Sequence, residues 1–315
     1  MGEERNNWKA WLYLLPVLLL MALFTFYPIL NTFVVSFMKD YDSLEGTSSG
    51  FSFFNYGYVL GICANNNVGV MNHDFFSWTS PSALSNTMFI TFVTVPISVV
   101  LALIIAVAIH SIKALRGFFQ TVFFMPYVTN VIAIGMVFSV LFSNNGVFNS
   151  IFGLSTRWLD SASSSWGSCM FVLCLYIIWT ALPYKILIFL SGLQGIDQQY
   201  YDAARVDGAS KAKASLRITI PLLSPQILYI TVTSFISAFK EYSSIVGLLG
   251  RNYSSNQNVP DLYTIVYYIM DIMNGEQGIA SEKMQFASAA AVILFLIILV
   301  FTVIELRISK KRVVY

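Results

Sequence analysis

Long apolar runs alternate along the chain with short polar breaks rich in Gly, Ser and Asn, such as 43–51, 65–67 and 143–146. A helix needs about 20 mostly apolar residues to cross a bilayer. Six segments reach that length: 10–38, 83–110, 118–142, 166–190, 220–249 and 286–308. They predict an all-α integral membrane protein with six transmembrane helices. Pro16 and Pro28 lie within the first run, where a helical bundle tolerates a bend. The longest connections are 39–82 and 250–285. No shift in composition marks a second domain and no internal repeat stands out, so 1–315 reads as one transmembrane domain.

Composition sharpens this picture. The chain is 57% hydrophobic and 11% charged, with a mean hydropathy of +0.68. Soluble domains carry about 25% charge, so a soluble enzyme is excluded. Arg5 and Lys9 before the first run imitate a signal peptide. The run, however, far exceeds an h-region of about 7–15 residues and lacks a small-x-small cleavage site, so it is read as an uncleaved first span. Cys169 and Cys174 share one span and Cys63 falls in a loop, which gives no disulfide framework. His73 lies in a loop and His110 at a span end, both read as solvated. No metal-ligand spacing occurs.

Lys and Arg placement sets orientation. With the N-terminus inside, Arg5, Lys9, Lys113, Arg116, Arg205, Lys211, Lys213, Arg217, Arg307, Lys310, Lys311 and Arg312 are cytoplasmic. Only Lys39, Arg157, Arg251 and Lys283 fall outside, with Lys185 and Lys240 inside spans. Both termini and the 196–218 loop are therefore expected in the cytoplasm, and 39–82 and 250–285 outside it.

The 196–218 loop has its own pattern. Asp197 suits the cap of a helix over 198–206, because its carboxylate accepts orphan N–H groups. Asp207-Gly208 ends that helix, since Gly takes the left-handed conformation cheaply. A second short helix is predicted over 209–217, exposing Lys211, Lys213 and Arg217. Pro221 suits the first turn of the fifth span. Ala203, Ala204, Ala209, Ala212 and Ala214 leave low-profile faces. Two readings of the loop stand at this point: a connector lying at the lipid headgroups, or a docking element for another chain.

The longer spacing favours docking. Asp202-Ala203-Ala204, then Asp207-Gly208-Ala209, then eight residues, then Ile218-Thr219-Ile220-Pro221 resembles the "EAA" motif of permease subunits of binding-protein-dependent ABC importers. The resemblance is to the carbohydrate branch, with its maltose-type and glycerol-phosphate-type permeases, and covers nearly the whole chain. Supporting it are Tyr13-Leu14-Leu15-Pro16, Phe26-Tyr27-Pro28, Asn86-Thr87, Gly117-Phe118-Phe119-Gln120-Thr121 through Pro126, Gly146-Val147-Phe148-Asn149, Trp158-Leu159-Asp160, Trp179, Gly192-Leu193-Gln194 and Phe235-Ile236-Ser237-Ala238-Phe239. Four features depart from the family pattern. Asp202 replaces Glu, and Leu216 replaces an aromatic. A Trp near Val137-Phe138 is missing, and Leu249-Gly250-Arg251-Asn252-Tyr253 replaces a Gly-rich turn.

The resemblance implies that Asp202, Ala203, Ala204, Asp207, Gly208, Ala209 and Pro221 form the ATPase-coupling element. It implies a bacterial inner-membrane assembly with a second, similar permease, two ATPase subunits and an extracellular sugar-binding protein, and no nucleic acid. No phosphate-binding Gly-rich loop with Lys-Ser/Thr occurs. ATP and Mg²⁺ are thus expected on the partner ATPase, with no cofactor and no catalytic residue on this chain. The implied cargo is a carbohydrate, an oligosaccharide foremost. A non-sugar solute for the same machine, or a secondary transporter, are the alternatives. Charges inside spans usually face a cavity or a partner. Lys240 and Glu241, with Phe239 and Tyr242 as stacking surfaces, are therefore the substrate-pathway candidates, against a reading of snorkelling and packing. Lys185 reads as a snorkelling lysine.

Overall fold

The computed structural model describes residues 7–43, 45–63, 75–77, 81–112, 116–159, 164–250, 262–274 and 283–309. Arg5, Asn65–Asn67, His73, Lys113, Asp160, Arg251-Asn252-Tyr253, Lys310, Lys311, Arg312, much of both long loops and the Lys9 and Arg116 side chains lie outside that set.

The described chain is predominantly helical. In order it contains α1 (Asn7–Met21), a π turn (Ala22–Phe26), α2 (Tyr27–Ser36), strands β1 (Met38–Lys39) and β2 (Gly50–Phe51), then α3 (Phe54–Val59). Next come α4 (Ala83–Ser111), α5 (Arg116–Val128), α6 (Val131–Leu141), α7 (Val147–Phe152), α8 (Trp166–Gln194), α9 (Gln198–Val206) and α10 (Lys211–Ala214). A second π turn (Ser215–Thr219) leads to α11 (Ile220–Leu222), α12 (Ser224–Phe239), α13 (Ser243–Leu249), α14 (Ile265–Asn274) and α15 (Met284–Ser309). Among the described residues, four helices are long and apolar enough to cross a membrane: Trp11–Ser36, Ala83–Ser111, Trp166–Gln194 and Met284–Ser309. Two bent pairs raise the count to six if each is one span.

Those pairs correct the predicted third and fifth spans. The run 118–142 is not one helix: Gly117–Val128 and Val131–Leu141 meet at 99°. Asn130 is extended (φ −61°, ψ 127°) and its side chain accepts the Ile132 N–H at 2.8 Å, so a new helix starts there. The run 220–249 breaks twice. Lys211–Leu222 and Ser224–Phe239 are bent by 68° about Leu223, and Lys240–Tyr242 is non-helical before α13. Pro225 explains the first break, because it offers no N–H to Pro221 and its ring would collide with that carbonyl.

Both π turns have a proline cause. Each is followed by X-Pro, Tyr27-Pro28 and Ile220-Pro221, and in each the residue before Pro donates five residues back, Tyr27 to Ala22 O and Ile220 to Ser215 O. Widening the helix there accommodates a ring that would clash in a regular α-helix. The predicted second loop helix over 209–217 accordingly begins at Lys211 and continues through Pro221 to Leu222. It is Pro225, in the first turn of α12, that takes the position predicted for Pro221.

The chain divides into two compact units, 1–73 with 269–293, and 74–268 with 294–315. In the first, β1 pairs antiparallel with β2, with Met38 opposite Phe51. Asn55 Nδ2 ties the end of α2 to β1 by donating to Ser36 O (2.9 Å) and Met38 O (2.8 Å). The Trp11–Ser36 span shows nearly all its side chains at the surface of this chain.

In the second unit α4 packs along α8, with α12 against α4 and α5 against α8. A buried stripe runs down α4 at helical spacing: Thr87, Thr91, Thr94, Ser98, Ala102 and Ala106. Small residues let helices approach closely where lipid offers no hydrophobic drive. Asn86 fastens the head of the stripe, accepting from Trp166 Nε1 (3.0 Å) and donating to Tyr263 O (2.9 Å). At its foot Leu223, Ile230, Phe189 and Leu193 close a fully apolar core around Ala102 and Ala106. Helices α6 and α13 cross backbone to backbone, since a Cβ on Gly135 would fall 2.8 Å from Gly247 Cα. Neither backbone can yield, so Gly135→Val should cost about 1–3 kcal/mol of stability by overpacking. A clear drop in melting temperature of the purified protein in detergent, larger than for Gly117→Val in open space, is the expected result.

Candidate functional site

Two regions concentrate the sequence-predicted residues. The first is the segment from Gly195 to Leu222. Asp197 Oδ1 accepts the Gln199 N–H at 3.0 Å and starts α9. The helix ends in a Schellman motif: Ala209 N–H donates to Ala204 O (2.9 Å) and Gly208 N–H to Arg205 O (3.1 Å). That motif needs a left-handed residue, and Gly208 has φ +71°. Two residues later Ser210 Oγ accepts the Lys213 N–H (3.3 Å) and opens the next helix. One helix thus stops and another starts within Asp207–Ser210, a corner made by backbone geometry. The two helices are tied by a hydrogen bond between Tyr201 OH and the buried Thr219 Oγ1, 2.9 Å apart.

The corner is presented outward. Asp202, Ala203, Asp207 and Gly208 are exposed, and Ala204 and Ala209 half-buried. Asp202 pairs loosely with Arg205 (3.5 Å), with both side chains solvated. Around it Tyr200, Val206 (89% exposed) and Leu216 (65%) leave apolar side chains uncovered. Pro221 stands apart, within the helix leading to the Leu223 bend.

The second region is a cavity of about 670 Å³ inside the second unit, formed where helices break. The α5–α6 break contributes Pro126, Tyr127, Thr129 and Val131, and the α12–α13 break contributes Lys240, Glu241, Tyr242, Ser243 and Ser244. Thr94, Val95 and Ser98 line it from α4, Ile177, Thr180, Ala181, Tyr184 and Lys185 from α8, and Thr233, Ser234, Ser237 and Ala238 from α12. Three of its four threonines share a property. Thr129, Thr180 and Thr233 each donate their hydroxyl proton to a carbonyl of their own helix (3.1, 3.0 and 2.8 Å). Their lone pairs remain, so these groups offer acceptors to whatever enters.

The structure brings together three of the four pathway candidates. Lys240, Glu241 and Tyr242 line the cavity, but in a non-helical break and not on a span as predicted. Glu241 Oε1 caps α13 by accepting the Ser244 N–H at 2.9 Å, and Thr264 Oγ1 donates to Glu241 O at 2.8 Å. Phe239 is overturned as a stacking surface: it is 1% exposed, packs edge-on against Phe301, and is absent from the wall. Tyr127 and Tyr184, stacked at 5.9 Å, lie on the wall, with Tyr184 OH 3.0 Å from Tyr229 OH. Lys185 does not snorkel. It is 6% exposed and its ammonium donates to Ser98 Oγ at 2.5 Å. The signal that could have located this wall is the polar stripe of α4, since hydroxyls at helical spacing within an apolar span mark an inward face.

Residues 57–315 match the family of the binding-protein-dependent transport system inner membrane component. The chain belongs to that family. Among similar proteins, the arabinooligosaccharides transport system permease protein AraP of Halalkalibacterium halodurans is 30% identical, over 96% of this chain and 88% of the relative. A probable ABC transporter permease of Mycoplasma genitalium is 28% identical over 85% of this chain and 83% of its own length. The trehalose/maltose permease protein MalF of Thermococcus litoralis is 26% identical over 98% and 96%. The permease fold also matches the crystal structure of a bacterial ABC transporter that imports the acidic polysaccharide alginate, with a TM-score of 0.76 and 18% identity over 98% of this chain and 96% of that one. As a member of a transport family, this permease is not an enzyme, and no group of metal-ligating side chains occurs among the described residues.

The Asp197 cap sets where the exposed helix starts. Asp197→Ala should cost about 1 kcal/mol of local helix stability. Faster amide exchange across 198–206, with α8 protection unchanged, is the expected result.

Proposed function

We propose that this permease passes a carbohydrate, an oligosaccharide foremost, across the bacterial cytoplasmic membrane through the broken-helix cavity. The single observation that carries the substrate class is the cavity wall: tyrosine faces beside the hydroxyls of Ser98, Thr129, Thr180 and Thr233, which donate to carbonyls of their own helices. A polyhydroxylated ligand brings O–H donors to those acceptors, and its C–H faces stack on tyrosine rings. The relatives named for arabinooligosaccharide, lactose and trehalose/maltose transport support the same class.

The assembly we infer pairs this chain with a second, similar permease, two ATPase subunits that hold ATP and Mg²⁺, and an external sugar-binding protein. A related fold has been solved with a periplasmic protein bound to an alginate pentasaccharide, which supports the last partner. Both termini and the 196–218 loop face the cytoplasm by the Lys/Arg bias, and 39–82 and 250–285 face the binding protein. All-round exposure of the Trp11–Ser36 span suits lipid and the partner permease. The Asp207–Ser210 corner is the part that seats on the ATPase. Asp202 supplies charge, Ala203, Ala204 and Ala209 allow close approach, and the uncovered Tyr200, Val206 and Leu216 lose water on docking. ATPase closure then moves the corner as a rigid element and switches access to the cavity.

Reconstitution tests the reading. The two permeases, the ATPase and the binding protein in proteoliposomes should take up an oligosaccharide only with ATP and the binding protein. Uptake by this chain alone, without ATPase, would sink it in favour of a secondary transporter. Gly208→Val tests the corner. A β-branched residue at φ +71° is strained by roughly 1–2 kcal/mol, in a place with no neighbour to clash. Uptake should fall several-fold while the two permeases still assemble in the membrane; wild-type uptake would remove the corner from the coupling path.

A further inference from the structure

We propose that Lys185 makes the cavity selective for glycosides bearing an anionic substituent, a carboxylate or a phosphate. The inference rests on the carbohydrate reading of the cavity and narrows it. Lys185 sits near the middle of an apolar helix, 6% exposed, and lines the cavity. Among the described residues its one polar partner is Ser98 Oγ, and no carboxylate lies within ion-pair distance. The Ser98 hydroxyl passes its own proton to Val95 O, so it can accept from Lys185. One neutral acceptor for three N–H donors leaves a buried ammonium largely uncompensated, and isolated buried charge is costly.

The remaining charges on the wall do not supply the counter-ion. Lys240 has the same sign. Glu241 is the sole carboxylate on the wall and is engaged at the head of α13, where it accepts the Ser244 N–H. The N-terminal end of α6, at Val131, adds positive potential to the same space. A neutral sugar would give Lys185 a hydroxyl oxygen but leave its charge unmatched. A carboxylate or phosphate matches it with a charge-assisted hydrogen bond, while the threonine acceptors and tyrosine faces hold the rest of the sugar.

The test is equilibrium binding to the purified importer, both permeases with the ATPase and no binding protein. It uses maltotriose, trigalacturonate and glucose 1-phosphate as neutral, carboxylate and phosphate probes. At least one anionic probe should bind about tenfold or more tighter than maltotriose, and which one identifies the substituent. Lys185→Met should bring the anionic and neutral probes to equal affinity, and Lys185→Arg should keep the preference. Anionic probes no tighter than maltotriose, or a preference that survives Lys185→Met, overturn the assignment. So does loss of all binding in Lys185→Met with Lys185→Arg intact, which would make the residue structural. If none of the three binds the wild-type importer, the carbohydrate reading itself fails and takes this inference with it.

Discussion

In hydrocarbon a backbone amide has no water to turn to, and each unsatisfied group costs several kcal/mol. Everything distinctive in this permease follows from how it meets that constraint where its helices break. At the α5–α6 break Asn130 covers the Ile132 N–H, and Tyr176 reaches across from α8 to donate to the Val131 carbonyl. At the α12–α13 break Glu241 covers the Ser244 N–H, and Thr264 donates to the Glu241 carbonyl. Such substitutes must come from polar side chains inside the bundle. A break therefore carries polar groups to membrane depth, and irregular backbone is tolerated there only where protein or a cavity surrounds it. Cavity and breaks are two descriptions of one feature.

The same constraint explains what was and was not legible in the sequence. Hydropathy sums side chains, so it located the four unbroken spans to within a few residues and joined α5 to α6 and α12 to α13. The breaks are written in single residues whose effect is on the backbone. Asn130 after Pro126 is a helix start, and Pro225 after Ser224 is a bend, yet both sit in runs apolar enough to outvote them. Lys240 and Glu241 drew attention as intramembrane charges, but their spacing was read as helical, and so Phe239 was placed on the wall beside them. Lys185 was misread because a lone lysine in an apolar span says nothing about what faces it; its partner Ser98 is 87 residues away. Local chemistry was the more readable kind. The Asp197 cap and the Gly208 stop depend on neighbours within a turn, and the helix they delimit runs from Gln198 to Val206.

Between the exposed corner and the cavity the chain follows a helical path bent by 68° at Leu223. The helix that opens at Ser210 runs through the π turn and Pro221 to Leu223, which is fully buried against Ala102, Ala106 and Phe189. Gly192 of α8 makes room for this residue: a Cβ there would fall 2.7 Å from Leu223 Cδ2. Past Leu223, α12 carries Thr233, Ser234 and Ser237 along the cavity wall and ends at Phe239, just before Lys240. In the coupling proposed above, the apolar cluster at Leu223 is one place where a displacement of the corner meets α8 and α4, and close-packed contacts of this kind shift between discrete arrangements more readily than they stretch.

The cavity proposed for transport must also release what it holds, and its wall suits that. Thr129, Thr180 and Thr233 donate to their own helices, which leaves their lone pairs as acceptors. Tyrosine faces add area without fixed direction. On this wall Lys185 and Ser98 form a hydrogen-bonded side-chain pair that joins α8 to α4. A ligand that draws the ammonium away from Ser98 alters that joint at the same time as it is bound. The proposed role of Lys185 thus draws on the same side chain that joins α4 to α8.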